Sequence, residues 1–470
     1  MTVPQWVQDA VFYQIFPDRF ANGDLSNDPP NTQPWDAPPT TWSFHGGDLR
    51  GIIQRFDYLL DLGINALYLN PIFQATSNHR YNTTDYLQID PKLGSREDFR
   101  DLISVAHHNN VRVVLDGVFN HCGRGFFAFN DVLENQEHSP YLNWFHVKGF
   151  PVDAYSFGDA RDYLGWWSMK SLPKFNTDNP AVRRYIMDVA RYWIEQGIDG
   201  WRLDVPNEID DDSFWGEFRH VVKSANPDAY ILGEIWTADR RWVGEGHFDG
   251  LMNYPIRDAL LRLLFAGTLD IPHFADKIES LLDYYPRENA YAMYVTAGTH
   301  DTERLLTKVN GDVDKAKLAF LFLFAYPGAP AVYYGDEIGL IGGKDPDCRA
   351  AFPWSQHRWN QSLRDWVKQL IALRKQLEVL RRGQFKRVCL NVDQACYAFA
   401  RLLPEQQILI ALNASPTRRS FCISTESVGW PDGTVVFNLL QSGVEYHVNH
   451  GCFEITLPAW GGVWVSNKVA

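Results

Sequence analysis

The chain has 470 residues, is 45% apolar and 14% aromatic with 17 Trp, and carries a formal net charge of -13. That apolar content is enough to bury a large core over two or three domains and excludes a disordered chain. The acidic balance, with no cluster of Lys and Arg, excludes nucleic acid as the partner; the Trp content suits either a Trp-rich core or a surface that stacks flat, polar ligands such as sugars.

The N-terminal stretch MTVPQWVQDAVFYQIF has no basic start, long apolar run or small-residue cleavage site, so no signal peptide is expected. From there, short apolar strands recur: VFYQI from Val11, NALYL from Asn65, RVVLD from Arg112, GWRLD from Gly200, YILGE from Tyr230, FDGLM from Phe248, MYVTA from Met293 and AVYYG from Ala331. Amphipathic stretches such as SREDFRDLISVAHHNN and PAVRRYIMDVARYWIEQG separate most of them, the second with Pro180 placed at a helix start. Strands alternating with helices imply parallel pairing through helical crossovers, and eight such units predict a closed α/β TIM barrel, (β/α)8.

After the third strand, residues 122–170 are polar and rich in Gly and aromatics, with no convincing helix, and are expected to form an inserted subdomain over the barrel mouth. The run LAFLFLFAY, Leu318 to Tyr326, is too short to span a bilayer and reads as a buried helix, so no membrane is expected. From about Phe385 the pattern changes to alternating strands between turns, predicting a C-terminal all-β sandwich. The expected domains are therefore residues 1–121 with 171–384, 122–170, and 385–470. The six cysteines (Cys122, Cys348, Cys389, Cys396, Cys422 and Cys452) show no CxxC or metal spacing, which points to a reducing, cytoplasmic setting.

Reactive groups of such barrels sit at the C-terminal ends of the strands. Asp116 and His121, Arg202 and Asp204, Glu234, and His300 with Asp301 all fall there. A lone acid at a strand end is commonly a helix cap or a barrel ion pair; several carboxylates with two histidines at one rim ask for more. In GWRLDVPNE, Arg202 and Asp204 share a strand face, so the guanidinium is expected to lower the pKa of Asp204 and keep it ionised as a nucleophile. Glu234, in the apolar run YILGEIW, is expected to have a raised pKa, as a general acid needs. Such a pair performs glycoside hydrolysis with retention, and Asp301 is placed to hold the sugar ring toward its oxocarbenium-like transition state.

These residues resemble the α-amylase superfamily, glycoside hydrolase family 13, over nearly the whole chain: DGVFNH (Asp116 to His121), GWRLDVPNE, GEIW (Gly233 to Trp236) and THDTER (Thr299 to Arg304) occur in the family order. The resemblance implies Asp204 as nucleophile, Glu234 as acid/base and Asp301 as transition-state stabiliser. It implies also that His121, Arg202 and His300 line the reacting-glucose site, that Tyr81 stacks under it, and that Asp345 and Arg349 grip the next sugar. Trp236 and Trp201 are candidates to stack acceptor sugars, Trp201 alternatively being core. VFYQIFPDRFANGD, LPKFN and DPDCR are similar to the cyclomaltodextrinase, neopullulanase and maltogenic amylase branch. Two departures are VPNE where that branch has VANE, and a barrel pattern starting almost at Met1 where the branch carries an N-terminal β-domain; both open an α-1,6 debranching preference.

Asn22, Asp24, Asn27 and Asp28, with Asp48 and the Gly47 carbonyl, offer hard oxygen ligands for a structural calcium ion, or form a turn-rich loop. No organic cofactor is expected. The expected activity is retaining hydrolysis of α-1,4 and/or α-1,6 bonds in maltooligosaccharides, cyclodextrins, pullulan or branched glucans. A glucanotransferase on the same scaffold and a non-catalytic carbohydrate-binding protein are the alternatives, and family analogy makes a homodimer plausible.

Overall fold

The computed structural model describes residues 3–264 and 268–468. Eight parallel strands form its core: β1 (Phe12–Ile15), β2 (Ala66–Leu69), β3 (Arg112–Gly117), β4 (Gly200–Leu203), β5 (Tyr230–Gly233), β6 (Gly250–Leu251), β7 (Tyr294–Thr296) and β8 (Ala329–Tyr333). Each strand pairs with the next in chain order from β1 to β6 and from β7 to β8, while β8 pairs with β1. A parallel bridge from Met252 to Tyr294 joins the remaining two edges and closes the barrel.

The two-residue period of a strand decides which side chains fill the barrel. Phe12, Ala66, Tyr68, Val114, Tyr230, Leu232, Met252, Tyr294, Ala329 and Ala331 pack into one interior cluster. Their neighbours Tyr13, Leu67, Leu69, Val113, Leu115, Trp201, Leu203, Ile231, Val295 and Val332 join the larger cluster shared with the helices. Extending the inner parity upward along each strand reaches Gln14, Asn70, Asp116, Arg202, Asp204 and Glu234, so one periodicity builds an apolar plug below and a polar floor above.

The crossover helices start where local chemistry permits. Ser95 and Asp98 form a reciprocal capping box at Arg96–His108. Asn179 accepts from the Ala181 amide ahead of Pro180 in Pro180–Glu195. The run around Leu318 is the buried helix expected, Val313–Ala325.

Within the insert, one expectation is corrected: Phe127–Asn135 is helical. Its N-cap position, Phe126, supplies no side-chain cap, so the sequence lacks a start signal; burial of Ala128, Phe129 and Val132 holds it instead. Bridges from His121 to Lys174 and from Phe145 to Phe175 tie the insert to the barrel mouth.

The C-terminal strands form a six-stranded antiparallel sheet and a two-stranded ribbon, Arg419–Ser424 with Cys452–Leu457. In Cys396–Leu403, the small Cys396, Ala398 and Ala400 face the ribbon's Phe421, Ile423, Phe453 and Ile455. The large Tyr397 and Phe399 turn the other way and pack on the barrel helices. Cys422 and Cys452 are joined as a disulfide on the ribbon, which runs against the reducing setting expected from the cysteine spacing; the other four cysteines are free thiols. No described helix is long and apolar enough to cross a membrane.

Candidate active site

Arg202, wholly buried, is the hub of the barrel's upper rim. Its Nη1 donates to Asp116 Oδ1 at 2.8 Å and to Asp204 Oδ1 at 3.1 Å. Its Nη2 lies 2.8 Å from Glu234 Oε1 but out of line for a hydrogen bond. A cation beside three carboxylates limits their mutual repulsion in a site that excludes water.

Backbone strain completes the grip on Glu234. Val205 adopts φ 36° and ψ 51°, a left-handed conformation costly for a β-branched residue, directly before Pro206. In that conformation its amide donates to Glu234 Oε2 at 3.0 Å.

A second chain of hydrogen bonds supports Asp116 and His300. The Gln14 Nε2 amide donates to His300 Nδ1 at 2.9 Å, which leaves the imidazole proton on Nε2, 2.6 Å from the Tyr81 hydroxyl. Tyr81 in turn donates to Asp116 Oδ2 at 2.8 Å, and Tyr68 does so at 2.6 Å. Asn70 Nδ2 donates to the Tyr81 hydroxyl at 2.9 Å. The Tyr81 and His300 rings stack at 5.4 Å with 5° between their planes. Burial pushes both His300 and His121 down to about 3, so both are neutral donors and acceptors, not cations.

Asp301 sits between cationic and polar partners: Arg349 Nη2 donates to its Oδ1 at 3.1 Å and His300 Nε2 is 3.1 Å from its Oδ2. Burial raises its pKa, but His300, Arg349 and Arg202 outweigh that and hold it below the usual range. Arg349 also reaches Asp345 at 3.2 Å and the His300 carbonyl at 2.9 Å. Glu234 is raised to about 7 by burial, against Arg202 and reinforced by Asp301. The expectation for Asp204 is corrected: burial outweighs Arg202 and raises its pKa too, with the charges of Glu234, Asp116 and Asp301 adding to the rise. The cluster therefore binds a proton that its members share. Arg202 reaches both members of the pair: Asp204 accepts from its Nη1 at 3.1 Å, while Glu234 lies 2.8 Å from its Nη2 and accepts from the Val205 amide at 3.0 Å.

The eleven sequence-derived catalytic and substrate-binding candidates fall in three kinds of place. Asp204, Glu234, Asp301, Tyr81, Arg202, His300, Asp345 and Arg349 are linked by direct contacts. His121 lies beside them, held by Asn120 Nδ2 at 3.1 Å from its Nδ1 and stacked on Trp166. Trp236 is half exposed and lies flat on Tyr254, at 3.8 Å and 7°. Trp201 is core, its indole donating to the Ala190 carbonyl. Sequence reasoning missed Gln14, Asn70 and Tyr68; the available signal was a polar residue at inner parity in VFYQI and at the end of ALYLN.

In the loop with the hard oxygen donors, Asp48 is used by the backbone: it accepts from the amides of Gly23, Asp24 and Gly51 and caps helix Leu49–Gln54. Asn27 Nδ2 donates to Asp48 and Asn22 Nδ2 to Asp28, which turns both amide oxygens the other way. Asn22 Oδ1 and Asn27 Oδ1 are then buried without partners, and Gly46 packs so close to Asp28 and Asn22 that a Cβ would clash. Asp24 caps Ser26 and Gly47 donates its amide to the Asp18 carbonyl. Two orphaned amide oxygens beside carboxylates fit a hard cation. Among the described residues no group of three or more His, Cys, Asp and Glu is arranged to hold a metal, so such a site depends on the amides.

Comparison with known proteins shows the family. Residues 14–370 match the family of the α-amylase catalytic domain. Neopullulanase 2 of Thermoactinomyces vulgaris is 42% identical over 468 residues, 99% of this chain and 79% of that protein. The cyclic α-maltosyl-(1→6)-maltose hydrolase of Arthrobacter globiformis superposes with TM-score 0.90 at 41% identity, covering 99% of this chain and 100% of that one. The debranching enzyme of Nostoc punctiforme gives TM-score 0.89 at 41% identity over 99% of each chain. With the barrel, the carboxylate cluster and these matches in agreement, the chain belongs to the α-amylase family of glycoside hydrolases.

Proposed function

We propose that the chain is a retaining α-glucan hydrolase in which Asp204 is the nucleophile, Glu234 the acid/base and Asp301 the transition-state stabiliser. The observation that carries this is the gathering of Asp204 and Glu234 on one buried guanidinium at the barrel rim, Glu234 being raised to about 7. Protonated Glu234 gives its proton to the glycosidic oxygen as Asp204 bonds to the anomeric carbon and the leaving sugar departs. Glu234, now ionised, takes a proton from water, which displaces Asp204 and restores the starting state. Asp301, kept ionised by Arg349 and His300, faces the positive charge that develops on the ring. Tyr81 and His300 present a stacked wall to the reacting sugar, His121 a neutral imidazole, and Asp345 with Arg349 a polar edge for the neighbouring unit.

The proposed substrates are maltooligosaccharides, cyclodextrins, pullulan and branched glucans, with cleavage of α-1,4 and α-1,6 bonds. End-to-end similarity to proteins described as acting on a (1→6)-linked maltose ring and as debranching supports α-1,6 cleavage. The division into a barrel (1–121 and 171–384), an insert (122–170) and a C-terminal domain (385–470) goes with this reading, supported by the antiparallel strand that starts at Gln384. A cytoplasmic setting is supported by 41% identity to the intracellular maltogenic amylase of Bacillus subtilis. Calcium is proposed as a structural ion held by Asn22, Asn27, Asp28, Asp24, Asp48 and the Gly47 carbonyl; it would brace the loop beside helix Leu49–Gln54 and take no part in bond cleavage.

The test is a product profile on a branched maltooligosaccharide with one α-1,6 bond, on pullulan and on cyclodextrin. Release of linear chains from the branched substrate is expected. Ring opening or maltose release with the branch left intact would overturn α-1,6 cleavage, and undiminished turnover by Asp204→Asn would overturn the nucleophile.

A further inference from the structure

An aromatic ladder leaves the active site through the inserted segment. The His121 ring stacks on Trp166 at 5.3 Å with 13° between planes, and Trp166 stacks on Trp167 at 4.5 Å with 12°. The three rings are thus nearly coplanar in orientation. The inner end lies at the top of β3 beside the catalytic cluster; the outer ring, Trp167, is 73% exposed.

Its backbone is held with unusual firmness. Trp167 (φ 50°) and Ser168 (φ 60°) are consecutive left-handed residues, neither of them glycine. Such strain persists only where surroundings over-determine it. Here the Ser168 amide donates to the Gly165 carbonyl at 3.0 Å and the Met169 amide to the Trp166 carbonyl at 2.9 Å. The Ser168 carbonyl accepts from Ala160 at 2.7 Å, and the Trp166 amide donates to Leu172 at 2.9 Å. Two left-handed residues reverse the chain so that Trp167 lies back over Trp166 instead of pointing away. The Trp166 indole N–H is buried and has no acceptor among the described residues.

We propose that Trp166 and Trp167 form a sugar-stacking platform that extends the active site across the insert, the outer face of Trp167 taking a glucosyl ring of the bound chain beyond the reacting one. The inference rests on the α-glucan hydrolase reading and adds a specificity determinant to it. Pyranose rings present a flat apolar C–H face that matches an indole face such as the exposed one of Trp167. Chain length is therefore the property the platform selects: a substrate too short to reach Trp167 gains nothing from it.

The experiment compares wild type, Trp167→Ala and Trp167→Phe in steady-state hydrolysis of maltoheptaose and of p-nitrophenyl α-maltoside. The expected result is a roughly tenfold rise, in Trp167→Ala, of the ratio of the maltoheptaose KM to the maltoside KM, with kcat little changed and with most of the ratio restored by Phe. An unchanged ratio overturns the platform. Titration of indole fluorescence with maltoheptaose in Asp204→Asn, with and without Trp167→Ala, reads the same contact without turnover, and equal affinities overturn it as well. A wild type that binds maltoheptaose but cleaves no glucan sinks the hydrolase reading alone, since binding still reports on Trp167.

Discussion

Buried guanidinium groups occupy both ends of this barrel, and their partners differ in kind. At the top, Arg202 meets Asp116, Asp204 and Glu234. At the bottom, Arg374 and Arg401 donate to backbone carbonyls: Arg374 to those of Phe324, Leu380 and Gly328, and Arg401 to those of Ala325 and Gly383. The carbonyls of Phe324 and Ala325 belong to the last turn of Val313–Ala325, where an α-helix leaves acceptors unpaired and its dipole favours a cation. The two arginines thereby join helix end, barrel and C-terminal sheet. Burial lowers the pKa of both, Arg401 to about 10, and for Arg374 it far outweighs the distant charge of Asp9. Arg202 shifts the other way, well above its ordinary value: burial opposes the charge but Asp116 and Glu234 outweigh it. A cation among titratable acids serves chemistry in which the proton count changes; a cation among fixed dipoles serves architecture.

Breaking the upper hub has the largest expected effect. Arg202→Met should lower kcat by about 10³-fold or more, corresponding to about 4 kcal/mol of transition-state stabilisation, because the cluster then takes up protons and Asp204 loses its in-line donor. Its stability cost should grow with pH. Asp116, Asp204 and Glu234 have raised pKa values in the folded state, so the stability of the protonated cluster is present at low pH and lost as pH rises. Melting curves at pH 5 and pH 8 measure this.

Arg401→Met should do the reverse: a loss of about 3 kcal/mol as buried carbonyls lose their donors, with kcat within about twofold of wild type. Carbonyls do not titrate, so the loss should be the same at pH 5 and pH 8. A pH-dependent cost at Arg401, or a pH-independent one at Arg202, would erase the contrast.

A smaller effect concerns the proton itself. Glu234, raised to about 7, is the acid only while protonated, so kcat should fall as pH rises through about 7. Replacing Val205 with Gly relaxes the strained turn that aims its amide at Glu234 Oε2, and should move that alkaline limb upward, since a bond favouring the carboxylate is weakened. A limb that stays in place in the pH profile of kcat would show that the amide does not tune the acid.

The smallest expected change is from chelation. EDTA should lower the melting temperature by a few degrees and added calcium should restore it, while the pH profile stays where it was, as a loop brace remote from the carboxylates requires. Asn27→Ala should abolish the response by removing an orphaned amide oxygen.

Legibility in the sequence followed the range of the interactions. Arg202 and Asp204 were readable because two residues apart on a strand means one face, and the inner parity of GWRLD is visible in the letters. Glu234 was readable as an acid in an apolar run at a strand end. Gln14 and Asn70 were harder: each is a single polar residue, Gln14 meeting His300 from the far end of the chain and Asn70 meeting Tyr81 only through the fold of the loop between them. The helix Phe127–Asn135 lacked a capping signal, and nothing in the letters marked Arg374 and Arg401, because the groups they donate to are backbone carbonyls, which every residue carries.

What the sequence by itself determined is therefore the period and the punctuation: eight apolar strands, their inner parity, the helix starts at Ser95 and Pro180, and the reactive side chains at the rim. Tertiary structure decided proton affinities and strain. Arg202 alone would lower the pKa of Asp204, but closing the barrel removes the water that would solvate its charge, and burial wins over a single guanidinium shared among several acids. The same closure turns Val205 into a left-handed residue and leaves Trp167 stacked and exposed at the mouth, because backbone conformation there is imposed by contacts that no local pattern encodes.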